Sequence, residues 1–108
     1  MTRATVAGVS VDTRHWIGGE RVASGTTFAS VSPIDGVEIA RVARGGADEA
    51  SAAVSAAAAA FPAWAALGPV GRGEILHRVA DAVEAHTEDL AQLETADNGS
   101  RLRSHRRG

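Results

Sequence analysis

The 108-residue chain contains no cysteine, no lysine and no tyrosine, and only two tryptophans and two phenylalanines. Without cysteine it can form no disulfide, no thiolate metal site and no thiol nucleophile. Without lysine it has neither an amine for Schiff-base chemistry nor the ammonium of a phosphate-binding loop. Aromatic side chains make up 4% of the chain, and much of its 44% hydrophobic content is alanine, so the expected core is thin. Met1 to Thr13 lacks a continuous apolar stretch, so no secretory leader is expected there. Ser51 to Gly71 lacks any charge, and its length would suffice for a membrane span. Alanine is weakly apolar, however, and Pro62, Gly68 and Pro69 interrupt the run, so no membrane association is expected.

Charge is present but unevenly placed. Within a net charge of −2, the four arginines of 101–108 face no acid and leave that tail at +4. The other seven arginines face all 13 acids, which leaves residues 1–100 at −6. The body therefore repels nucleic acid, and only the tail, through Arg101, Arg103, Arg106 and Arg107, could attract it. No aromatic is interleaved with those arginines to stack on bases, and a solvated terminus is the simpler reading.

Residues 1–13 read as a polar, unpatterned, flexible arm. In 14–100 two β-hairpins are expected, followed by three helices. Gly18-Gly19 sits between the β-prone runs His15 to Ile17 and Arg21 to Ala23, and glycine accepts the positive φ of a tight turn. A second pair, Phe28 to Val31 and Val37 to Val42, flanks Ser32-Pro33-Ile34-Asp35-Gly36, with Pro33 and Gly36 as turn residues. After Gly45-Gly46 the period changes. Asp48 and Glu49 suit a helix start, Ala50, Val54, Ala57 and Phe61 form one face, and Pro62 should end the helix at or before Phe61. A second helix should begin at Pro69, with Ile75, Val79, Ala82 and Val83 in a stripe beside Leu76. Thr87 is placed to cap a third helix that buries Leu90 and Leu93 and stops at Asn98-Gly99. Trp16 and Trp64 read as core or half-core anchors.

No catalytic constellation emerges from these residues. Gly68-Pro69-Val70-Gly71-Arg72-Gly73 reverses the glycine order of a dinucleotide fingerprint and follows a helix instead of a strand. An anion at the start of the second helix is the residual functional reading, and loose helix-start glycines are the simpler one. His15, His77, His86 and His105 share no metal-ligand spacing. Asp48-Glu49 and Glu88-Asp89 are adjacent in sequence and diverge on a helix, so neither forms an acid–base pair. No serine lies in a G-x-S-x-G turn.

The segments "HWIGGERVASG" and "VSPIDGVEIARV", and the run from Ala47 to Ser100, together form a recognisable order. Ile17-Gly18-Gly19-Glu20 is similar to an I-N-G-E hairpin turn, and Ser32 to Gly36 to an N-P-x-x-G turn with serine for asparagine. Asp48 to Trp64 fits a helix of the form D-x-x-x-A-V-x-A-A-x-x-A-F-x-x-W, Arg72 to Leu76 fits R-x-x-x-L, and Glu94 to Gly99 fits E-x-x-D-N-G. In this order and spacing the chain resembles the N-terminal portion of the aldehyde dehydrogenase superfamily.

The resemblance implies an α/β fold (α+β as an isolated piece), the two hairpins and three helices corresponding to the N-terminal part of the cofactor-binding domain. It also implies the chemistry of the intact family, oxidation of aldehydes to carboxylic acids with NAD or NADP. That reaction uses a cysteine nucleophile, an oxyanion held by asparagine and backbone N–H, and a glutamate base. Those groups lie beyond the segment matched here, so no catalytic, cofactor-binding or metal-binding residue is carried to any position of this chain. The expectation is an N-terminal fragment, from a truncated or frameshifted gene, inactive alone and cytoplasmic, and associated with the remainder of the enzyme or as an oligomer. The alternative is a small non-catalytic module that binds a protein partner through the apolar helix faces around Phe61, Trp64, Ile75 and Val79. Nucleic-acid binding by the Arg-rich 101–108 ranks below both.

Overall fold

A computed structural model describes residues 2–102 and 106. Among the described residues six strands precede three helices: β1 (Arg3–Val6), β2 (Val9–Asp12), β3 (His15–Ile17), β4 (Glu20–Val22), β5 (Thr27–Val31), β6 (Glu38–Ala43), α1 (Ala47–Ala66), α2 (Gly68–Ala85) and α3 (Thr87–Asn98). The strands pair in sequence order as antiparallel two-stranded sheets, β1 with β2, β3 with β4 and β5 with β6.

The first of these pairs corrects the expectation of an unpatterned arm. Ala4, Val6, Val9 and Val11 are half-buried and alternate with exposed or polar neighbours, the period of a strand with one covered face. The turn between them carries positive φ at both Ala7 (50°) and Gly8 (80°), the twist a two-residue hairpin requires. Alanine is a poor sequence marker for that conformation, which is why the turn was hidden. Thr13 then fastens the hairpin to the rest: it is buried, its N–H donates to the Thr2 carbonyl at 3.0 Å, and its carbonyl accepts from Ala43 N–H at 3.0 Å.

The other two hairpins form where expected. His15 pairs with Val22 and Ile17 with Glu20 across Gly18-Gly19. In the third, Ser30 pairs with Ala40 but Val31 with Glu38, leaving Ile39 as a bulge residue that turns inward. Gly36 takes φ 73° and its N–H donates to the Ser32 carbonyl at 2.8 Å. Val37 lies just outside the strand and is exposed.

The α1 helix starts where Glu49 accepts the Gly46 N–H at 2.9 Å, and it continues through Pro62 to Ala66. The expected stop at Phe61 is therefore overturned. Proline removes one hydrogen bond, but it is flanked by alanines, the residues of highest helix propensity, which carry the helix past it. The actual stop is Gly68, whose φ of 73° ends α1 and lets Pro69 open α2. Thr87 also departs from expectation. Its hydroxyl donates backwards to the Glu84 carbonyl at 2.8 Å, closing α2 instead of capping α3. Asn98-Gly99 ends α3 as expected, with Gly99 at φ 75° and its N–H on the Thr95 carbonyl.

Packing is sparse. Ala91 of α3 is 2% exposed, Leu93 is half-buried and Leu90 is exposed, so the closest contact of α3 is made by its alanine. Trp16 is 64% exposed and lies under the Arg21 guanidinium at 5.0 Å, so it is no core anchor; Trp64 is only partly covered. Among the described residues no single helix is long and apolar enough to cross a membrane, and α1 and α2 bend through 117° at their junction. The fold is a slab of 48 × 37 × 18 Å.

Candidate functional site

A cleft of about 370 Å³ lies where β2, β6 and α3 converge. Val6, Val11, Ile39 and Val42 from the strands and Leu93 from α3 supply its apolar floor. The alternation of β1, β2 and β6 turns these side chains inward, and the Ile39 bulge adds one more.

An ion pair closes one side of the cleft. Asp12, whose side chain is 9% exposed, receives three donors from Arg14: its backbone N–H at 3.0 Å, Nε at 3.1 Å and Nη2 at 2.7 Å. Those bonds hold the Asp12 carboxyl well below the usual carboxylate range, the Arg14 side-chain bonds first and its backbone N–H second. The same pairing raises the Arg14 guanidinium. With Arg14 so engaged, the pair turns the chain from β2 into β3 and is a fastening, not a free acid. On the opposite rim Ser30 Oγ donates to Asp97 Oδ1 at 3.4 Å, which links the β5–β6 hairpin to the end of α3. Gly99 sits in the same joint, where a β-carbon would approach Pro33 Cγ to 3.2 Å.

The residues singled out from sequence are dispersed. Gly68 to Gly73 form the first turn of α2, and Arg72 Nη1 donates to the Ala65 carbonyl at 3.1 Å, so this arginine ties two helices together. His15 is half-buried beside Gly45, and its Nε2 has no hydrogen-bond partner among the described residues. His86 Nδ1 donates to the Ala82 carbonyl at 2.8 Å at the end of α2, while His77 is exposed on that helix. His105 lies outside the described residues, as do Arg103 and Arg107. Arg106 folds back on α3, its Nε donating to Glu88 Oε2 at 2.7 Å, and the Glu88 carboxyl is lowered by that bond. Asp48 and Glu49 begin α1 and Glu88 and Asp89 begin α3, each at a helix start. Among the described residues no three His, Asp or Glu side chains gather as a metal-binding group.

One recurrent dinucleotide site is a strand that feeds a glycine-rich turn into a helix N-terminus, and the described residues do not form that motif. Here every described strand pair is antiparallel, and the glycines at 68–73 follow a helix and lie within the next one. Sequence reasoning missed the Asp12–Arg14 fastening. The only signal for it was the Asp-x-Arg spacing at the end of an unrecognised strand.

Comparison with known proteins bears on the whole segment. A family described as the aldehyde dehydrogenase family matches residues 20–107. The 5-carboxymethyl-2-hydroxymuconate semialdehyde dehydrogenase of Escherichia coli is 39% identical over 85 residues, which are 79% of this chain and 18% of that protein. Among solved structures, the gamma-glutamyl-gamma-aminobutyraldehyde dehydrogenase of Burkholderia cenocepacia superposes with a TM-score of 0.87 at 38% identity, over 93% of this chain and 21% of that one. The indole-3-acetaldehyde dehydrogenase AldA of P. syringae, solved in complex with NAD+, gives 0.85 at 36% identity, over 91% and 21%. The chain thus spans about a fifth of the length of the proteins it matches.

Proposed function

Because the chain belongs to the aldehyde dehydrogenase family, we propose that it is the N-terminal scaffold segment of a cytoplasmic NAD(P)-dependent enzyme that oxidises aldehydes to carboxylic acids. In this reading the 108 residues contribute architecture and no chemistry. The observation that carries it is the match of residues 20–107 to the family, together with a sequence that contains no cysteine to attack an aldehyde. The Asp12–Arg14, Ser30–Asp97 and Arg72–Ala65 bonds are the joints of that scaffold. The α2 stripe of Leu76, Val79 and Val83, exposed here, is a surface for the rest of the enzyme. The test is direct. Purified chain mixed with an aldehyde and NAD+ or NADP+ is expected to produce no NADH or NADPH fluorescence, and sustained production would overturn the reading.

A second reading, a non-catalytic interaction module, is favoured by one observation: Val54 and Phe61 on α1 are 70% and 66% exposed. Recovery of a monodisperse chain with that face covered would support it. A monomer with the face open to solvent would count against it.

A further inference from the structure

We propose that Asn98-Gly99 is a site of spontaneous covalent modification, where the backbone closes on the asparagine carboxamide to give aspartate and isoaspartate, and that the end of α3 gates it. Asn98 is the only asparagine in the chain, and a glycine follows it. Imide formation favours that pair, because no β-carbon hinders the approach of the Gly99 nitrogen to Cγ of Asn98. The Gly99 nitrogen gives its proton to water or hydroxide and bonds to Asn98 Cγ, while Nδ2 leaves as ammonia. Water then opens the five-membered imide at either carbonyl. Breaking the new Cγ–N bond yields aspartate. Breaking the original peptide bond yields isoaspartate, with the main chain now running through Cγ. The net reaction consumes water and releases ammonia, and it needs no other reagent.

The folded chain holds both reacting groups apart. Gly99 N–H, the nucleophile, donates to the Thr95 carbonyl at 2.9 Å. Asn98 Nδ2 donates to Glu94 Oε1 at 2.7 Å, and Oδ1 accepts from Ser100 N–H at 2.8 Å and from the Ser100 hydroxyl. Asn98 is also the last residue of α3. A planar imide ring turns its ψ well away from the helical value of about −42°. The reaction therefore proceeds from the opened helix end, and helix ends are among the first parts of a fold to open.

The product cannot close the same end. A carboxylate in place of the carboxamide faces Glu94 one turn earlier and adjoins Asp97, at a helix C-terminus that already disfavours negative charge. Isoaspartate also lengthens the main chain by a methylene. Gly99 packs against Pro33, and Asp97 accepts from Ser30, so the joint between α3 and the β5–β6 hairpin is what the modification loosens. This inference concerns the chain's own covalent chemistry and is independent of the function proposed above.

The experiment is incubation of the full chain at mildly alkaline pH, in buffer and in urea. Peptide mapping by mass spectrometry follows the exchange of NH2 for OH at residue 98, and far-UV circular dichroism follows the helices. Asp35-Gly36 can form a similar imide, but it loses water and regains it, so it leaves no mass change. Isoaspartate in excess over aspartate is expected at residue 98. It should form at least about tenfold faster in urea, the ratio set by an opening cost of about 1.4 kcal/mol, roughly what two of these bonds contribute. Glu94→Ala, which frees Nδ2, should speed the reaction in buffer by about threefold, and Asn98→Gln should abolish it. No conversion at residue 98 in urea would overturn the site. Equal rates in buffer and urea, or a Glu94→Ala chain no faster than the parent, would overturn the gate.

Discussion

The strand region 3–43 and the helical region 47–98 cover their apolar side chains to different extents. In the strand region, Val6, Val9, Val11, Ile17, Val22, Ile39 and Val42 are half-buried, while Trp16, Phe28, Val31, Ile34 and Val37 are exposed. In the helices, Val54, Phe61, Leu67, Val70, Leu76, Val79, Val83 and Leu90 are exposed, and only Ala91 is fully buried. The reason is connectivity. A hairpin turns a strand back on its own neighbour, and Thr13 bonds one hairpin to the next, so the inward-facing valines of β1, β2 and β6 find cover nearby. The first two helices are 20 and 18 residues long and meet at a 117° bend, in a molecule only 18 Å thick. The helical region thus leaves the broader apolar surface open to solvent.

Substitutions can break or sharpen this contrast. The largest effect is expected from Pro62→Ala, which restores a hydrogen bond inside α1 and should raise helix stability by up to about 3 kcal/mol. Far-UV circular dichroism under urea would measure it, with the near-UV signal of the strand region unchanged. Next comes Ala91→Leu. Overfilling the one fully buried apolar position should cost roughly 1–3 kcal/mol, while Val83→Thr on the exposed stripe should stay within about 0.5 kcal/mol. Equal costs at the two positions would show that α2 is covered after all. Gly99→Ala places a β-carbon at φ 75° and against Pro33, and should cost about 1–2 kcal/mol in a urea melt. It tests whether α3 is held by the β5–β6 hairpin.

The smallest effect is expected from pH. The folded-state pKa values of Asp12, Glu49 and Glu88 all lie below their unfolded values. The main causes are the Arg14 side chain, the Gly46 N–H and the Arg106 side chain respectively. Their stabilisation is therefore fully present at neutral pH and is lost as pH falls below about 4, where the unfolded carboxylates bind protons first. Asp12→Asn should flatten the acid limb of the melting curve more than Glu49→Gln or Glu88→Gln, because Asp12 receives three bonds and is the least exposed.

Much of the fold was legible in the residues. Gly18-Gly19, Pro33 with Gly36, and Asn98-Gly99 marked turns and a stop by their backbone chemistry, and the structure places them so. The first hairpin was not legible, because Ala7 hides a left-handed turn that glycine or asparagine would have announced. The helix end at Pro62 was misread, because the penalty for proline is local while the alanines around it act together. Thr87 was assigned the wrong helix, since a threonine between two helices can bond either way and only their geometry chooses. The Asp12–Arg14 fastening carried no signal beyond its spacing.

The sequence by itself determined the family, through turn residues and helix periods in a fixed order, and it determined that no thiol chemistry resides here, because no cysteine is present. Which apolar faces are covered was decided by the tertiary structure alone. The pattern Val54–Phe61 and the pattern Leu90–Leu93 look alike in sequence, as amphipathic stripes do. Burial depends on what lies across from a stripe. Both β2 and α2 pack against α3, in which Ala91 is buried, whereas among the described residues Val54 and Phe61 of α1 stay exposed.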